Sequence, residues 1–258
     1  RYPRIDRSFS PNPPGSKDRL FTLDTLMMEF PGNGFGDFRE AAYDIRHQNG
    51  SHVTHFVYQG HEIMQGKPVL AGLPQTYGDA DAIETLCLSL IDESAKLELK
   101  LSYSIFSDTA VIVRSSQLIN HREQQVRIEQ FASQSIDFPN RPLDLIHLHG
   151  AWARERQMTR ESIQIGTKRL DSKRGSSSHQ QNPFSILADP QTNEVQGTCF
   201  GFSLIYSGSH ETVIERDPYQ QTRVIMGINR DHFNWQLNQG DIFQAPEVVL
   251  AYSDQGLN

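Results

Sequence analysis

Cysteine is scarce: the 258 residues include only two. That leaves no disulfide framework, and Cys87 and Cys199 each sit inside an apolar, strand-like run. They read as buried free thiols of a reducing compartment, hence a cytoplasmic protein, with a disulfide as the alternative. Long apolar runs are missing too. None approaches the ~20 residues that a membrane-spanning helix needs. The chain opens at Arg1 on a charged, Pro-containing segment with neither Met nor a signal peptide, and so reads as part of a longer polypeptide. Positive charge is in deficit. A formal net charge of -7 argues against a nucleic-acid partner, which needs a basic surface. There is no sustained helical period and no Gly-rich dinucleotide fingerprint, which excludes a nucleotide-binding doubly wound fold. The Gly-rich run Pro31 to Phe38 lacks the Gly-Lys-Ser/Thr of a phosphate cradle. Gly201-Phe202-Ser203 and Ser207-Gly208-Ser209 do not make the Gly-x-Ser-x-Gly elbow of a nucleophilic serine.

What the sequence does have is alternation. From Ala95 to Ile105, Leu97, Leu99, Leu101, Tyr103 and Ile105 alternate with Glu98, Lys100, Ser102 and Ser104. This is the period of a strand with one wet face. Similar runs are expected over 41–47, 53–63, 83–91, 110–119, 126–138, 143–148, 163–170, 184–188, 199–206, 211–215, 222–228 and 248–252. Asn49-Gly50 is a strong hairpin signal and predicts that 41–47 and 53–63 pair. Asp231 to Leu237 also alternates, with Phe233, Trp235 and Leu237 on the apolar face. Short strands at modest spacing with no dividing linker predict one large antiparallel all-β domain over 1–258.

Two irregular segments stand out. Residues 1–19 carry Pro3, Pro11, Pro13 and Pro14, which prevent ladder bonding, yet Tyr2, Ile5 and Phe9 are interleaved with Arg4, Asp6 and Arg7. A terminus with apolar anchors is expected to dock. Asp171 to Pro183 is Ser-rich and unpatterned; its length marks it as either functional or disordered.

Candidate chemistry is limited. His147-x-His149 places two imidazoles on one strand face, but no third ligand accompanies them, and no metal is expected. His52 and His55, on opposite faces of a strand, are given no role. Glycoside hydrolysis needs two carboxylates; Asp6, Asp37, Asp144, Glu155 and Glu247 qualify by type, but sequence cannot pair them in space. Tyr2, Phe9, Phe35, Phe38, Trp152, Phe233 and Trp235 suit sugar contact, although most aromatics of a β protein are core. The most unusual stretch is His147 to Arg156. A strand-like run ends at Gly150, and a lone Trp is followed by Arg154-Glu155-Arg156. Gly permits a kink or a close backbone approach. A flat apolar face beside planar guanidinium donors suits a sugar; a core Trp at a sheet corner is the alternative.

Several phrases together resemble one family. They are Pro3-Arg4-Ile5-Asp6-Arg7-Ser8-Phe9-Ser10-Pro11-Asn12-Pro13, Gly36-Asp37-Phe38-Arg39 with Ala42-Tyr43, Gly150-Ala151-Trp152-Ala153-Arg154-Glu155-Arg156, Ser172 through Pro183, Phe243 through Val249 and Tyr252 through Asn258. The set is similar to the amino-terminal portion of the bacterial α-galactosidases of glycoside hydrolase family 36. The resemblance implies an all-β fold, a large antiparallel β-supersandwich of galactose-mutarotase-like shape with its first strands missing. In the intact enzymes this domain precedes a (β/α)8 barrel carrying two catalytic aspartates of a retaining mechanism. It implies no catalytic residue in this chain, no metal and no cofactor. As partners it implies an α-galactoside such as melibiose or raffinose, the barrel domain, and copies of the chain in a tetramer. By the same resemblance Trp152 walls the galactose pocket, Asp6 reaches substrate from a neighbouring subunit, and Phe9 and Arg19 lie near that contact. A free-standing galactoside-binding module is the alternative. An epimerase-like enzyme using a His–Glu pair in a sheet cavity ranks last.

Overall fold

The computed structural model describes residues 23–34, 36–107 and 109–258. Asp6, Phe9, Arg19, Tyr2 and Phe35 lie outside the described residues, as does the expected docking of the terminus. The described strands are β1 (Tyr43–Arg46), β2 (Val57–Gln65), β3 (Ile83–Asp92), β4 (Leu97–Phe106), β5 (Val111–Asn120), β6 (Val126–Phe138), β7 (Asp144–Ala151), β8 (Arg154–Ser162), β9 (Gly166–Ser172), β10 (Gln181–Ala188), β11 (Cys199–Ile205), β12 (His210–Arg216), β13 (Thr222–Ile228), β14 (Trp235–Leu237), β15 (Ile242–Gln244) and β16 (Glu247–Ser253). All strand pairings are antiparallel. They form two sheets. One runs β1-β6-β13-β12-β9, with β14 also on β6. The other runs β2-β3-β4-β5-β16-β11-β10-β7-β8, with β15 on β5. No described helix is long and apolar enough to cross a membrane.

The sheets are held face to face by the side chains that the period of two turns inward. Leu97, Leu99 and Leu101 of β4 and Leu118 of β5 meet Tyr43 and Ile45 of β1 and Ile128 and Phe131 of β6 in one core cluster. A second cluster joins Leu145, Leu187, Phe202 and Val248 of the larger sheet to Leu170, Ile214, Val224 and Met226 of the smaller. Both clusters draw on both sheets, as in a sandwich. This is the expected antiparallel supersandwich. Cys87 and Cys199 are buried free thiols, also as expected.

The smaller sheet also holds a buried ion network. The Arg223 side chain is 1% exposed. Its Nε donates to Asp137 Oδ1 (2.7 Å), Nη2 to Asp37 and Asp137 (2.8 Å each) and Nη1 to the Glu40 carbonyl (2.9 Å). Arg39 also pairs with Asp37 and donates to the Leu26 carbonyl, while the Met28 amide donates to Asp137. The irregular segment 23–40 is thereby clamped onto β6 and β13.

Three local expectations need correction. Asn49-Gly50 does turn the chain, with the Gly50 amide bonded to His47 and φ +84° at Gly50. The flanking runs do not pair across it: β1 joins β6, and β2 joins β3 in the other sheet. His52 and His55 precede β2 rather than lying in it. Between Asp231 and Leu237 only 235–237 is strand, and Trp235 is about half exposed with its ring against Phe243.

Candidate functional site

The stretch around Trp152 is the tip of the β7–β8 hairpin. Register runs from Asp144↔Ser162 to His149↔Gln157, then jumps to Ala151↔Arg154. Across the jump Gly150 faces both Glu155 and Arg156, a β-bulge with its extra residue on β8. Arg156 adopts φ +55° and Ala153 φ +60°. Left-handed backbone is costly for residues with a Cβ and concentrates where neighbouring structure requires it. Gly150 is required here, because a Cβ on it would meet the Arg154 carbonyl oxygen at 2.3 Å. The close approach read from the sequence is therefore real. The two-residue turn, with positive φ at its second position, leaves Trp152 pointing outward and 74% exposed. It is not a core Trp at a sheet corner.

Beside the tip, the Glu155 carboxylate accepts from the Ala153 amide (2.8 Å). Backbone donation, first from its own amide and then from that of Ala153, holds its pKa below the ordinary carboxylate range. The Ser-rich segment lies alongside. Gln181 pairs with His149, and the Gly150 amide donates to the Gln180 carbonyl (3.3 Å). The segment is tied down at several points. Ser177 N bonds the Ser207 carbonyl, Gly175 N bonds Ser209 Oγ, and Arg174 Nε bonds Gln180 Oε1. Lys173, Arg174, Ser178, Gln180 and Gln181 line an open polar cavity of about 460 Å3. Lys173 and Arg174 went unsingled by sequence reasoning; the unpatterned length of the segment was the available signal.

Phe38 is almost fully exposed, and Phe233 packs partly buried on the core. His147 is buried, 3.4 Å from Glu161, and burial pushes its pKa down. His149 Nε2 is taken by Thr159 Oγ1 (2.8 Å). Glu161 is itself paired with Lys168, and the cavity of about 290 Å3 that both line does not include His147. His147 and Glu161 thus form a His–Glu pair of which only Glu161 lines that cavity. Asp37 lies in the buried network. Burial alone would raise its pKa, but the hydrogen bond from Arg39 and the charge of Arg223 prevail and hold it at about 2. Asp144 pairs with Arg160 and Ser162 (2.9 and 3.0 Å). Glu247 is bound by Lys67 and by the amide and hydroxyl of Thr76. Asp37, Asp144, Glu155 and Glu247 are each held by separate partners.

Residues 2–238 match the family described as Glycosyl hydrolase family 36 N-terminal domain. The chain belongs to that family. The family 36 domain is 46% identical over 258 residues to alpha-galactosidase AgaA of Geobacillus stearothermophilus, covering 100% of this chain and 35% of that protein. It is 44% identical over 259 residues to alpha-galactosidase 1 of Pediococcus pentosaceus, with the same coverage. The crystal structure of AgaA in complex with stachyose superposes with a TM-score of 0.93, over 100% of this chain and 36% of that one. AgaA in complex with raffinose gives 0.92. The family 36 domain thus spans about a third of the length of the relatives it matches.

Proposed function

We propose that this family 36 domain is the non-catalytic amino-terminal part of an α-galactosidase that removes terminal α-galactosyl units from sugars such as melibiose and raffinose. In this reading it closes the active site of a barrel domain, with Trp152 as the wall of the galactose pocket. Asp6, with Phe9 and Arg19 near it, reaches the substrate of a neighbouring subunit in a homo-tetramer in the cytoplasm. The observation that carries it is the outward indole of Trp152 on a bulged, glycine-dependent hairpin. An aromatic face held in solvent beside fixed polar groups is what a sugar ring with apolar C–H faces requires. Relatives named as alpha-galactosidases, two of whose structures hold stachyose and raffinose, support the substrate class. Apolar side chains exposed on β2, namely Val57, Tyr58 and Ile63, support association.

The test is Trp152→Ala in the complete enzyme. Losing one ring contact of ~1–1.5 kcal/mol raises KM for raffinose about tenfold. Unchanged KM and kcat refute the wall. The chain alone is expected to leave a chromogenic α-galactoside intact, and measurable turnover by it refutes the non-catalytic reading. The polar cavity lined by Lys173, Arg174 and Gln180 favours a second reading, a free-standing galactoside-binding module. Calorimetric heat on titrating this chain with raffinose selects that reading.

A further inference from the structure

We propose that Asp44, His52 and Glu129 bind a first-row divalent cation, with Zn2+ the ion of best fit. Sequence spacing gave no hint of it, and His52 was given no role. Three separate features of the fold bring the side chains together. Asp44 lies on β1 opposite Gln130, whereas its neighbour Ile45 lies opposite Ile128. Glu129 is therefore the extra residue of a β-bulge on β6, a device that re-aims a side chain. Beyond β1 the chain reverses: the His47 amide donates to the Ser51 carbonyl (2.8 Å), and the Ser51 amide to Asn49 Oδ1 (3.0 Å). That reversal returns His52 to β1, its Nδ1 2.7 Å from Asp44 Oδ1.

One ligand atom from each of the three residues lies within 4.8 Å of the others. Zn2+ at ~2.0–2.2 Å from nitrogen and oxygen donors sets ligand atoms roughly 3–3.5 Å apart, so small rotations complete the set. Each residue is half-buried. The donors are thus partly ordered, yet open to an ion and to the waters that fill its remaining positions. An imidazole with two carboxylates selects a transition ion over Mg2+, which dehydrates reluctantly and prefers oxygen. One group opposes the ion: Arg46 Nε lies 2.7 Å from Glu129 Oε1. Arg46 is partly exposed, so its guanidinium can hold the second carboxylate oxygen or move into water. His47 takes no part, since its Nε2 bonds Thr54 Oγ1 (2.9 Å). Once bound, the ion ties β1, the following turn and the β6 bulge together.

Calorimetric titration of this chain, stripped with chelator, with ZnCl2 tests the site. A one-to-one isotherm is expected with Kd on the order of 10 μM, weaker than a four-ligand structural site. His52→Ala and Asp44→Asn each weaken it at least tenfold, with circular dichroism confirming the fold. Arg46→Met tightens it, because the competing cation is gone. His149→Ala leaves it unchanged, and a hundredfold excess of Mg2+ does not displace Zn2+. Three results overturn the proposal: no saturable heat up to 1 mM Zn2+, equal affinity in both ligand variants, or displacement by Mg2+.

Discussion

Replacing Arg223 by Met keeps most of the side-chain volume and removes the charge at the centre of the buried network. Asp37 then retains Arg39, and Asp137 retains the Met28 amide and the longer contact to Arg39 at 3.4 Å. Asp137, at 1% exposure, loses its principal cation, and Asp37, at 3%, loses one of its two. Removing one partner of a buried ion pair costs ~3–5 kcal/mol, because the remaining charge stays desolvated. At ~2–4 °C per kcal/mol for a chain of this size, Tm falls by roughly 6–20 °C. The sign of the pH dependence is fixed as well. A folded-state pKa of about 2 for Asp37, against 3.8 in its absence, stabilises the fold above pH 4. That contribution, on the order of 2 kcal/mol, is lost as pH falls from 4 towards 2. Arg223→Met raises the Asp37 pKa, so the Tm difference from the unmodified chain narrows over that window. Differential scanning calorimetry from pH 7 to pH 3 measures both effects. A variant within 2 °C of the parent at pH 7, or a difference that widens on acidification, refutes the reasoning.

Three further outcomes are expected. Gly150→Ala places a Cβ against the Arg154 carbonyl and costs ~1–3 kcal/mol, read as a lower urea midpoint with a change in Trp152 emission. Burial lowers the pKa of His47, His147 and His210. The unfolded chain therefore binds more protons below pH 6.5, and stability declines from there downward by up to ~1.4 kcal/mol per pH unit per histidine; urea melts at pH 7.5, 6.5 and 5.5 show the slope. Burial is also the main cause holding the Cys87 and Cys199 thiols above their usual pKa, so a thiol reagent at pH 8 labels neither within minutes and both in denaturant.

The sheet scaffold was legible wherever one strand face is wet and the other dry. β3, β4, β5 and β6 fall within two residues of their expected limits, because Leu97, Leu99 and Leu101 must share a face. β8 was not legible. Arg154 to Met158 meets water on both faces, so no alternation marks it as a strand. The Asn49-Gly50 turn was recognised, but a turn fixes only its own residues. The partner of β2 is set by distant Leu86, Leu88 and Leu90 on β3. At the site, the close approach at Gly150 was readable, whereas the exposure of Trp152 depends on a bulge that no spacing reveals. The same holds for Glu129, which joins Asp44 through a one-residue slip in register.

The outer position of β8 has a mechanical consequence. Its side chains contribute little to either core cluster, and among the described residues its one ladder is with β7. Peeling back Arg154 to Met158, all exposed, uncovers scant apolar area, which is the character of segments that open at a fraction of the global unfolding free energy, whereas Arg160 and Ser162 are tied to Asp144. The aromatic tip can therefore shift while the two leucine-rich interiors stay shut.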